Sequence, residues 1–592
     1  MPRLRIFRQC WLLCAVFALL GQNLSAQENK NSFATALRAG KRPRLAVVIS
    51  IDQFRADLLT RNADLFLPAQ NGKQVGGFQY LMTQGSWFVN AQHAHFPTFT
   101  GPGHSVLLTG STPSMNGIIA NEWWDKLIGG VRYCVDDETA HIKVVGKVEG
   151  SRAKPMSAKS LLVTTVGDEL KLASNGRAKT VSIALKDRAA ILLAGHAADT
   201  CLWFDDYTGR WISSTAYAKN GELPKWAQKV NDENIPEKHF GKVWKPSVSA
   251  EVLKRAKPTK LDPDNEPYGL GSSFPHRIGT EKGRITFRAF TTTPFANGFV
   301  FATAEAAIIG EQMGSHEGIS DLLTINLSSN DYIGHAFGPY SPEVLDATVQ
   351  TDRQLSEFLN FIEANVPGGL RETLVIVTAD HGVAPIAEQL NDINIDAGKV
   401  LEGTINLVTE EALRQAFGLR VWVGAEQGQN AKGGYVEPYI TLNEENIQQT
   451  LRSGKAKSRE EIEKVVADAV SKMDGIYACY THTQLLSGNL PRIPLTQRLA
   501  RGFHPQLSGD VMVVSTPHHY TDPGTKGPYA TSHGTAYNYD THVPILMVGF
   551  GIRAGVWAQP VTPLDIAPTL SLLLGIEFPS ACEGNPLVPA LH

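Results

Sequence analysis

Four apolar runs rich in β-branched residues recur along the chain, and three of them lead directly into acidic residues. Runs of this composition are typical of strands buried on both faces of a sheet. Asp52 ends the first run, Asp331 follows the second, and Asp380-His381 ends the third. The runs are Leu45–Ile51, Leu323–Leu327, Thr373–Val377 and Val543–Val548.

Helical patterns lie between these runs, for example at Glu343–Ala364 and Pro568–Leu574. Strands that alternate with helices indicate an α/β fold with a mostly parallel central sheet flanked by helices. Ligand sites in such sheets lie beyond the carboxyl ends of the strands. We therefore expect the acids that follow the apolar runs to lie at a functional edge of the sheet.

Two segments fit this alternation poorly. Residues from about 125 to 315 are rich in Lys, Trp, Gly and Pro and include a hairpin-like stretch at 207–211. Residues from about 388 to 525 mix an amphipathic helix, Arg459–Met473, with loops and short strands. We interpret both as insertions that wall the site, within one large domain of residues 27–592.

The first 26 residues have the pattern of a cleaved secretory signal peptide. Three arginines precede an apolar stretch, Cys10–Leu20, which is too short to span a bilayer, and Leu24-Ser25-Ala26 ends the segment. A periplasmic or secreted protein is expected, with an uncleaved anchor as the alternative. No other stretch is long and apolar enough for stable membrane insertion.

Charge and cysteine content limit the partners and the kinds of metal site that the sequence supports. The formal net charge is −3 over 592 residues and there is no basic block, which gives no support for nucleic-acid binding. Four cysteines follow the signal segment and are far apart, so we expect no metal site built on sulfur. Two disulfides with any of three pairings remain open for Cys134, Cys201, Cys479 and Cys582.

Aspartates and histidines cluster at the predicted strand ends and in one late loop. Asp331 is followed four residues later by His335, with Gly334 indicating a turn between them, and His533 lies in a Ser-His-Gly loop. Each motif alone is more often structural. With Asp52 and Asp380-His381 they offer a carboxylate and imidazole donor set, which suits zinc better than manganese or iron.

A threonine precedes a predicted helix in the segment Phe99-Thr100-Gly-Pro-Gly-His104. Proline is tolerated in the first turn of a helix, so Thr100 is expected at the helix N-terminus, where backbone N–H groups favour anions. An ordinary capping threonine is the commoner role. Beside metal ions the hydroxyl could instead be an activated nucleophile, and Thr98 is a possible rival.

Lys186 and Arg188 follow a strand-like run, Ser182–Leu185. Positions two apart on a strand face the same side, so both cations could point at one anion. A solvated strand edge is the alternative, and this segment alone favours it.

Taken together and in this order, the motifs resemble the alkaline phosphatase superfamily, from about Leu45 to Leu574. Within it the chain is most similar to monomeric bacterial alkaline phosphatases with a threonine nucleophile, relatives of the nucleotide pyrophosphatase/phosphodiesterases. The matching residues are Asp52, Thr100, Asn121, Asp331, His335, Asp380, His381 and His533. The resemblance implies two zinc ions, one held by Asp331, His335 and His533 and the other by Asp52, Asp380, His381 and Thr100.

The resemblance also implies a reaction: hydrolysis of small phosphate monoesters through a covalent phosphothreonine at Thr100, by a monomer. Asn121, Lys186 and Arg188 would bind the phosphoryl oxygens. A diesterase of the same superfamily is the alternative, but that branch lacks the Lys-x-Arg pair. A monoester dianion carries one more negative charge than a diester, so two nearby cations stabilise it more strongly. A sulfatase is disfavoured because Thr100 to His104 lacks the sulfatase motif. A non-catalytic metal- or phosphate-binding protein would show a damaged site, and none of these residues is missing.

Overall fold

The computed structural model describes residues 41–259, 267–418, 421–424, 432–524 and 529–592. The predicted signal peptide, residues 1–26, lies outside these ranges. Within them, no helix combines the length and the apolar character needed to cross a bilayer.

A ten-stranded mixed sheet forms the centre of the fold. In spatial order its strands are β10-β2-β9-β8-β1-β7-β4-β5-β6-β3, and only β6 and β9 run against the others. This topology confirms the predicted mostly parallel α/β sheet, and all four predicted strands belong to it. The strands are β1 Leu45–Ile51, β2 Ser86–Gln92, β3 Val144–Val145, β4 Thr180–Ala184, β5 Thr200–Asp205, β6 Arg210–Ser214, β7 Asp321–Leu327, β8 Thr373–Thr378, β9 His542–Gly549 and β10 Gly555–Trp557.

Helices cover both faces of the sheet. The main ones in the described part are α1 Thr100–Thr109, α2 Val166–Ala173, α3 Asp187–Ala194, α4 Lys225–Asp232, α5 Arg284–Thr291, α6 Pro294–Gly310, α7 Ser329–Phe337, α8 Pro342–Asn365, α9 Glu402–Phe417, α10 Glu444–Arg452, α11 Arg459–Val470, α12 Pro494–Gly502 and α13 Ile566–Leu574. The predicted helices at 343–364, 459–473 and 568–574 correspond to α8, α11 and α13, with ends that differ by up to three residues.

Alternate residues of β1 enter two different hydrophobic cores. Val47 and Ile49 pack in the core that includes α6 and α8, whereas Ala46 and Val48 pack in the core that includes α1 and α13. All seven residues of the strand are buried. A strand enclosed on both faces has no polar side, which explains why its sequence is a continuous apolar run.

The segment from 125 to 315 contributes four strands of the central sheet, β3, β4, β5 and β6. The hairpin-like stretch at 207–211 joins the antiparallel strands β5 and β6. The segment from 388 to 525 builds a separate four-stranded sheet with its own apolar core. Its strands, in spatial order, are Gly434–Val436, Tyr439–Thr441, Val511–Ser515 and Ile476–Thr481.

Two local predictions were wrong. Asp331 and His335 lie on α7 rather than across a turn, since Gly334 continues the helix. Residues four apart on a helix share one face, which brings the two side chains together. Lys186 and Arg188 do not lie on a strand, because β4 ends at Ala184. Lys186 instead occupies the N-cap position of α3, and Arg188 lies in the first turn of that helix.

The four cysteines are unpaired: Cys134 and Cys201 are buried, and Cys479 and Cys582 are partly buried. Neither of the two disulfides left open by the sequence forms between them. Burial raises the pKa of the Cys479 thiol to about 12, and it also raises that of Cys582. These thiols are therefore protonated and unreactive near neutral pH.

Helix α1 approaches the end of β8 too closely for any side chain at Gly103. A Cβ built there would lie 2.3 Å from the carbonyl oxygen of Asp380 and 2.8 Å from its Cβ. The contact fixes the first turn of α1, which carries Thr100, against the residue that follows β8.

Replacing Gly103 by Ala should therefore destabilise the protein. Overpacking of this kind costs about 1–3 kcal/mol, which thermal unfolding would report as a lower transition temperature. Gly403→Ala in the first turn of α9 is the matched control, because no atom lies within 4 Å of its Cβ position. Equal transition temperatures for the two variants would contradict the close packing.

Candidate active site

Four adjacent parallel strands end at one level of the sheet. Thr378 of β8, Ser50 of β1, Asn326 of β7 and Ala184 of β4 are aligned in register. The residues two positions further on are Asp380, Asp52, Ser328 and Lys186, so three charged side chains are brought to one edge. Asp331 and His335 follow on α7, and the loop before β9 brings His533 to the same edge.

The three predicted ligand histidines share one hydrogen-bonding arrangement: Nδ1 contacts a backbone carbonyl oxygen. The distances are 2.8 Å from His335 to Thr531, 2.9 Å from His381 to Gly382 and 2.9 Å from His533 to Thr98. Because a carbonyl only accepts, each Nδ1 carries a proton, and each Nε2 is directed toward the carboxylates. Histidines that bind metals are commonly oriented in this way.

The Nε2 atoms lie close to carboxylate oxygens. His381 Nε2 is 3.1 Å from Asp380 Oδ2 and 3.6 Å from Asp52 Oδ1. His335 and His533 place Nε2 at 3.3 and 3.5 Å from Asp331 Oδ1. Burial lowers the pKa of His381 to about 4 and also lowers that of His533, so both are neutral at pH 7. A neutral lone pair beside a carboxylate is repulsive unless a cation lies between them.

Two oxygens in the cluster also lack any hydrogen bond: the buried Asp52 Oδ2 and Asp380 Oδ2. Burial, and then the charge of Asp380, raises the pKa of Asp52 to about 8. Buried carboxylates without donors are costly, and a bound cation is one way to satisfy them. The donor set and its unsatisfied oxygens therefore fit a divalent metal ion.

Among the described residues there are three groups of side chains whose ligand atoms, within each group, all lie within 4.8 Å of one another. The first is Asp331, His335 and His533, which coincides with one predicted zinc set. The other two share Asp52, which is joined with Asp331 and His381 in one group and with His104 and Asp380 in the other. The second predicted set is thus brought together around His381, although Asp52, Asp380 and His381 do not form one such group.

His104 does not fit a ligand role. Its Nδ1 is 2.9 Å from the carbonyl oxygen of Thr100, and its Nε2 is 2.9 Å from the Asn326 amide nitrogen. Nδ1 must donate and Nε2 must accept, so neither nitrogen has a free lone pair. The ring instead links α1 to β7.

Thr100 begins α1 and is fully buried, and three nitrogen atoms surround its hydroxyl. Oγ1 lies 3.4 Å from His381 Nε2, 3.4 Å from Lys186 Nζ and 3.4 Å from Arg188 Nη2. Thr98 Oγ1, the rival, donates to the Thr535 carbonyl at 2.6 Å. That bond ties Thr98 to the backbone, whereas Thr100 faces the charged cluster.

The two cations predicted to bind substrate have different surroundings. Lys186 Nζ lies 3.0 Å from Asp52 Oδ1 and 2.6 Å from Asp331 Oδ2, so it bridges the two predicted ligand sets. Arg188 donates to the Tyr133 hydroxyl at 3.1 Å, and its buried Nε has no partner. A guanidinium with an unused N–H beside Thr100 is suited to an anionic ligand.

Asn121 lies beside the first turn of α1. Its carboxamide oxygen accepts from Gly101 N at 2.7 Å, which leaves the NH₂ group as a donor for the cavity that Asn121 and Arg188 both line. That cavity measures about 280 Å³. It is lined by Phe99, Asn121, Arg188, Asp331, His335, Lys399, Tyr520, Thr521, Asp522, Pro523, Tyr529, Ser532 and His533.

Several site residues were not foreseen from the sequence. Gln53 donates to Asp331 and to Asp380, Tyr133 positions Arg188, and Lys399 and Tyr529 line the cavity. Gln53 follows Asp52 directly and Tyr529 lies four residues before His533, which were the available signals. Tyr133 and Lys399 belong to no motif and carry no such signal.

A family model described as type I phosphodiesterase / nucleotide pyrophosphatase matches residues 46–535. The chain belongs to this family. The match confirms the predicted superfamily and includes every predicted site residue from Asp52 to His533.

Members of the family give closer comparisons. Alkaline phosphatase PafA of Elizabethkingia meningoseptica is 34% identical over 564 residues, which cover 94% of this chain and 96% of PafA. Alkaline phosphatase PhoV of Synechococcus elongatus is 32% identical over 592 residues, or 98% of this chain and 99% of PhoV. The crystal structure of wild-type PafA has a TM-score of 0.78 with 32% identity, and covers 93% of this chain and 99% of PafA.

Loss of one ligand histidine should release metal. In His335→Ala the set around Asp331 loses one of three donors, so the purified protein should retain less divalent metal after dialysis against a dilute chelator. Elemental analysis measures the metal-to-protein ratio. The matched control is His542→Ala, whose ring contacts the Val89 carbonyl outside the cluster. An unchanged ratio in His335→Ala would exclude this ligand set.

Proposed function

We propose that this enzyme hydrolyses phosphate monoesters through a covalent phosphothreonine at Thr100, with two zinc ions in the site. The carrying observation is the Thr100 hydroxyl, which lies 3.4 Å from each of His381, Lys186 and Arg188 at the start of α1. The proposed nucleophile, Thr100 Oγ1, therefore contacts both the phosphate-binding cations and a residue of the metal-ligand cluster.

The relatives support the monoesterase assignment. Curated relatives with 34% and 32% identity are named alkaline phosphatases, and they favour this activity over the diesterase alternative. A solved variant of PafA carries substitutions at a threonine, an asparagine, a lysine and an arginine. These are the residue types of Thr100, Asn121, Lys186 and Arg188.

The proposed metal ligands follow the two predicted sets. Asp331, His335 and His533 would hold one zinc ion, and Asp52, Asp380, His381 and Thr100 would hold the other. Nitrogen and oxygen donors of this kind suit Zn²⁺. When bound, the ions would supply Lewis acidity, which stabilises negative charge on the attacking and leaving oxygens.

The protein groups perform the rest of the reaction. Arg188 and the Asn121 amide bind the non-bridging oxygens, and Lys186 adds positive charge beside Thr100. Thr100 Oγ1 loses its proton and attacks phosphorus in line, the Oγ1–P bond forms, and the bond to the ester oxygen breaks. That oxygen takes up a proton and leaves as the alcohol. Water then attacks the phosphothreonine from the vacated side, so that the Oγ1–P bond breaks, a proton from the water returns to Thr100, and inorganic phosphate leaves.

The charge on the substrate explains the preference for monoesters. A monoester dianion places more charge beside Lys186 and Arg188 than a diester monoanion does. Cations aimed at developing charge contribute most in a buried site. A non-catalytic binding role has no support, because every proposed ligand and the nucleophile are present.

Segment 388–525 supplies Lys399, Tyr520 and Asp522 to the cavity wall, which supports its proposed role in enclosing the site. Small phosphate esters are the proposed substrates of a monomeric enzyme, with no role for nucleic acid. Export to the periplasm or beyond, after cleavage of residues 1–26, is proposed from the signal-peptide pattern of that segment.

Removing both cations should sharply reduce the preference for the monoester over the diester. In the Lys186→Ala/Arg188→Ala variant, we expect kcat/KM for an aryl phosphate monoester to fall at least 10²-fold. That for the matching methyl diester should fall much less. Steady-state kinetics of both substrates measure the ratio, with Lys179→Ala, whose ammonium pairs with Glu311 outside the active-site cavity, as the control. A wild-type enzyme that prefers the diester would contradict the monoesterase assignment.

A further inference from the structure

Gln53 adopts a backbone conformation that residues other than glycine rarely use. Its φ is +63°, and its side chain is buried, with 4% of its surface exposed. It follows Asp52 directly at the end of β1. Strained backbone of this kind persists where the surrounding contacts hold it, and such residues cluster at functional sites.

Gln53 donates two hydrogen bonds from this position. Its backbone N–H donates to Asp380 Oδ1 at 3.1 Å, and its side-chain Nε2 donates to Asp331 Oδ1 at 2.9 Å. Asp331 Oδ1 is the same oxygen that faces His335 and His533. One residue therefore contacts a carboxylate of each proposed metal set.

The glycine at position 334 makes room for the Gln53 carboxamide. A Cβ at Gly334 would lie 1.8 Å from Gln53 Oε1. Glycine is unfavourable inside a helix such as α7, so its presence there needs a packing reason. The approach of the Gln53 amide to the helix backbone supplies that reason.

We propose that Gln53 is a positioning residue that sets the spacing of the two metal sets by holding one carboxylate from each. This inference rests on the ligand sets of the proposed function. Asp331 and Asp380 are both buried, and Gln53 donates to both of them, beside Lys186 on Asp331 and the His381 N–H on Asp380. Hydrogen bonds to ligating carboxylates commonly account for 10- to 100-fold in metal affinity.

Three variants test the donation. Gln53→Ala removes the amide, Gln53→Met keeps the side-chain volume without the donor, and Gly334→Ala displaces the amide. Each should weaken zinc binding about 10- to 100-fold, as measured on the metal-depleted protein by competition with a chelating dye. The controls are Gly403→Ala and Gln354→Ala, which removes one hydrogen bond from Gln354 on α8 to the Pro294 carbonyl on α6.

The double variant Gln53→Ala/Gly334→Ala separates positioning from general damage. The new methyl group has no amide to displace once Gln53 is gone, so zinc affinity should match that of Gln53→Ala alone. Thermal unfolding identifies any variant that fails to fold, in which case Gln53→Met carries the test. Additive losses in the double variant, or Gln53→Met with zinc affinity within about twofold of wild type, would overturn the proposal.

The ligand assignment can fail separately. If His335→Ala keeps the full metal content, the proposed sets are wrong and the role of Gln53 is lost with them. If His335→Ala loses metal while the Gln53 variants bind zinc normally, only the Gln53 proposal fails.

Discussion

The site depends on the cost of burying three carboxylates together, each of which follows the end of one of three adjacent parallel strands. Asp52, Asp331 and Asp380 are each at most 2% exposed, and their mutual repulsion has to be offset by positive charge. Lys186 provides part of it, since its ammonium lies between Asp52 and Asp331. Asp52 Oδ2 and Asp380 Oδ2 still lack a partner, and together with the three histidine Nε2 atoms they form a donor set that fits metal ions.

The fold meets this constraint through register and close packing. The aligned ends of β8, β1, β7 and β4 bring residues that are hundreds of positions apart to one edge. Helix α1 then fits against Asp380 without a side chain at Gly103, which places the Thr100 hydroxyl among the cations. The reactive groups are thus held by strand ends and a helix terminus, which are more rigid than long loops.

Much of this arrangement could be predicted from the sequence, for physical reasons. Strands enclosed on both faces must be apolar, so β1, β7, β8 and β9 were recognisable, and the acids that follow three of them were natural site candidates. Local context was harder. The two-residue spacing of Lys186 and Arg188 alone could not show that β4 ends before Lys186. The glycine at position 334 suggested a turn, but the structure explains it by a contact with Gln53, which is 281 positions away in sequence. Such long-range contacts leave no local pattern.

The stereochemical course at phosphorus tests the covalent mechanism most directly. Each in-line displacement inverts the configuration, so attack by Thr100 followed by transfer to a second acceptor gives two inversions. The measurement uses an aryl phosphate with chiral isotopic labelling and an alcohol acceptor, and assigns the configuration of the transferred phosphoryl group. We predict net retention, with transfer abolished in Thr100→Ala and kept in Thr98→Ala. Net inversion would show a single direct displacement and would contradict the phosphothreonine.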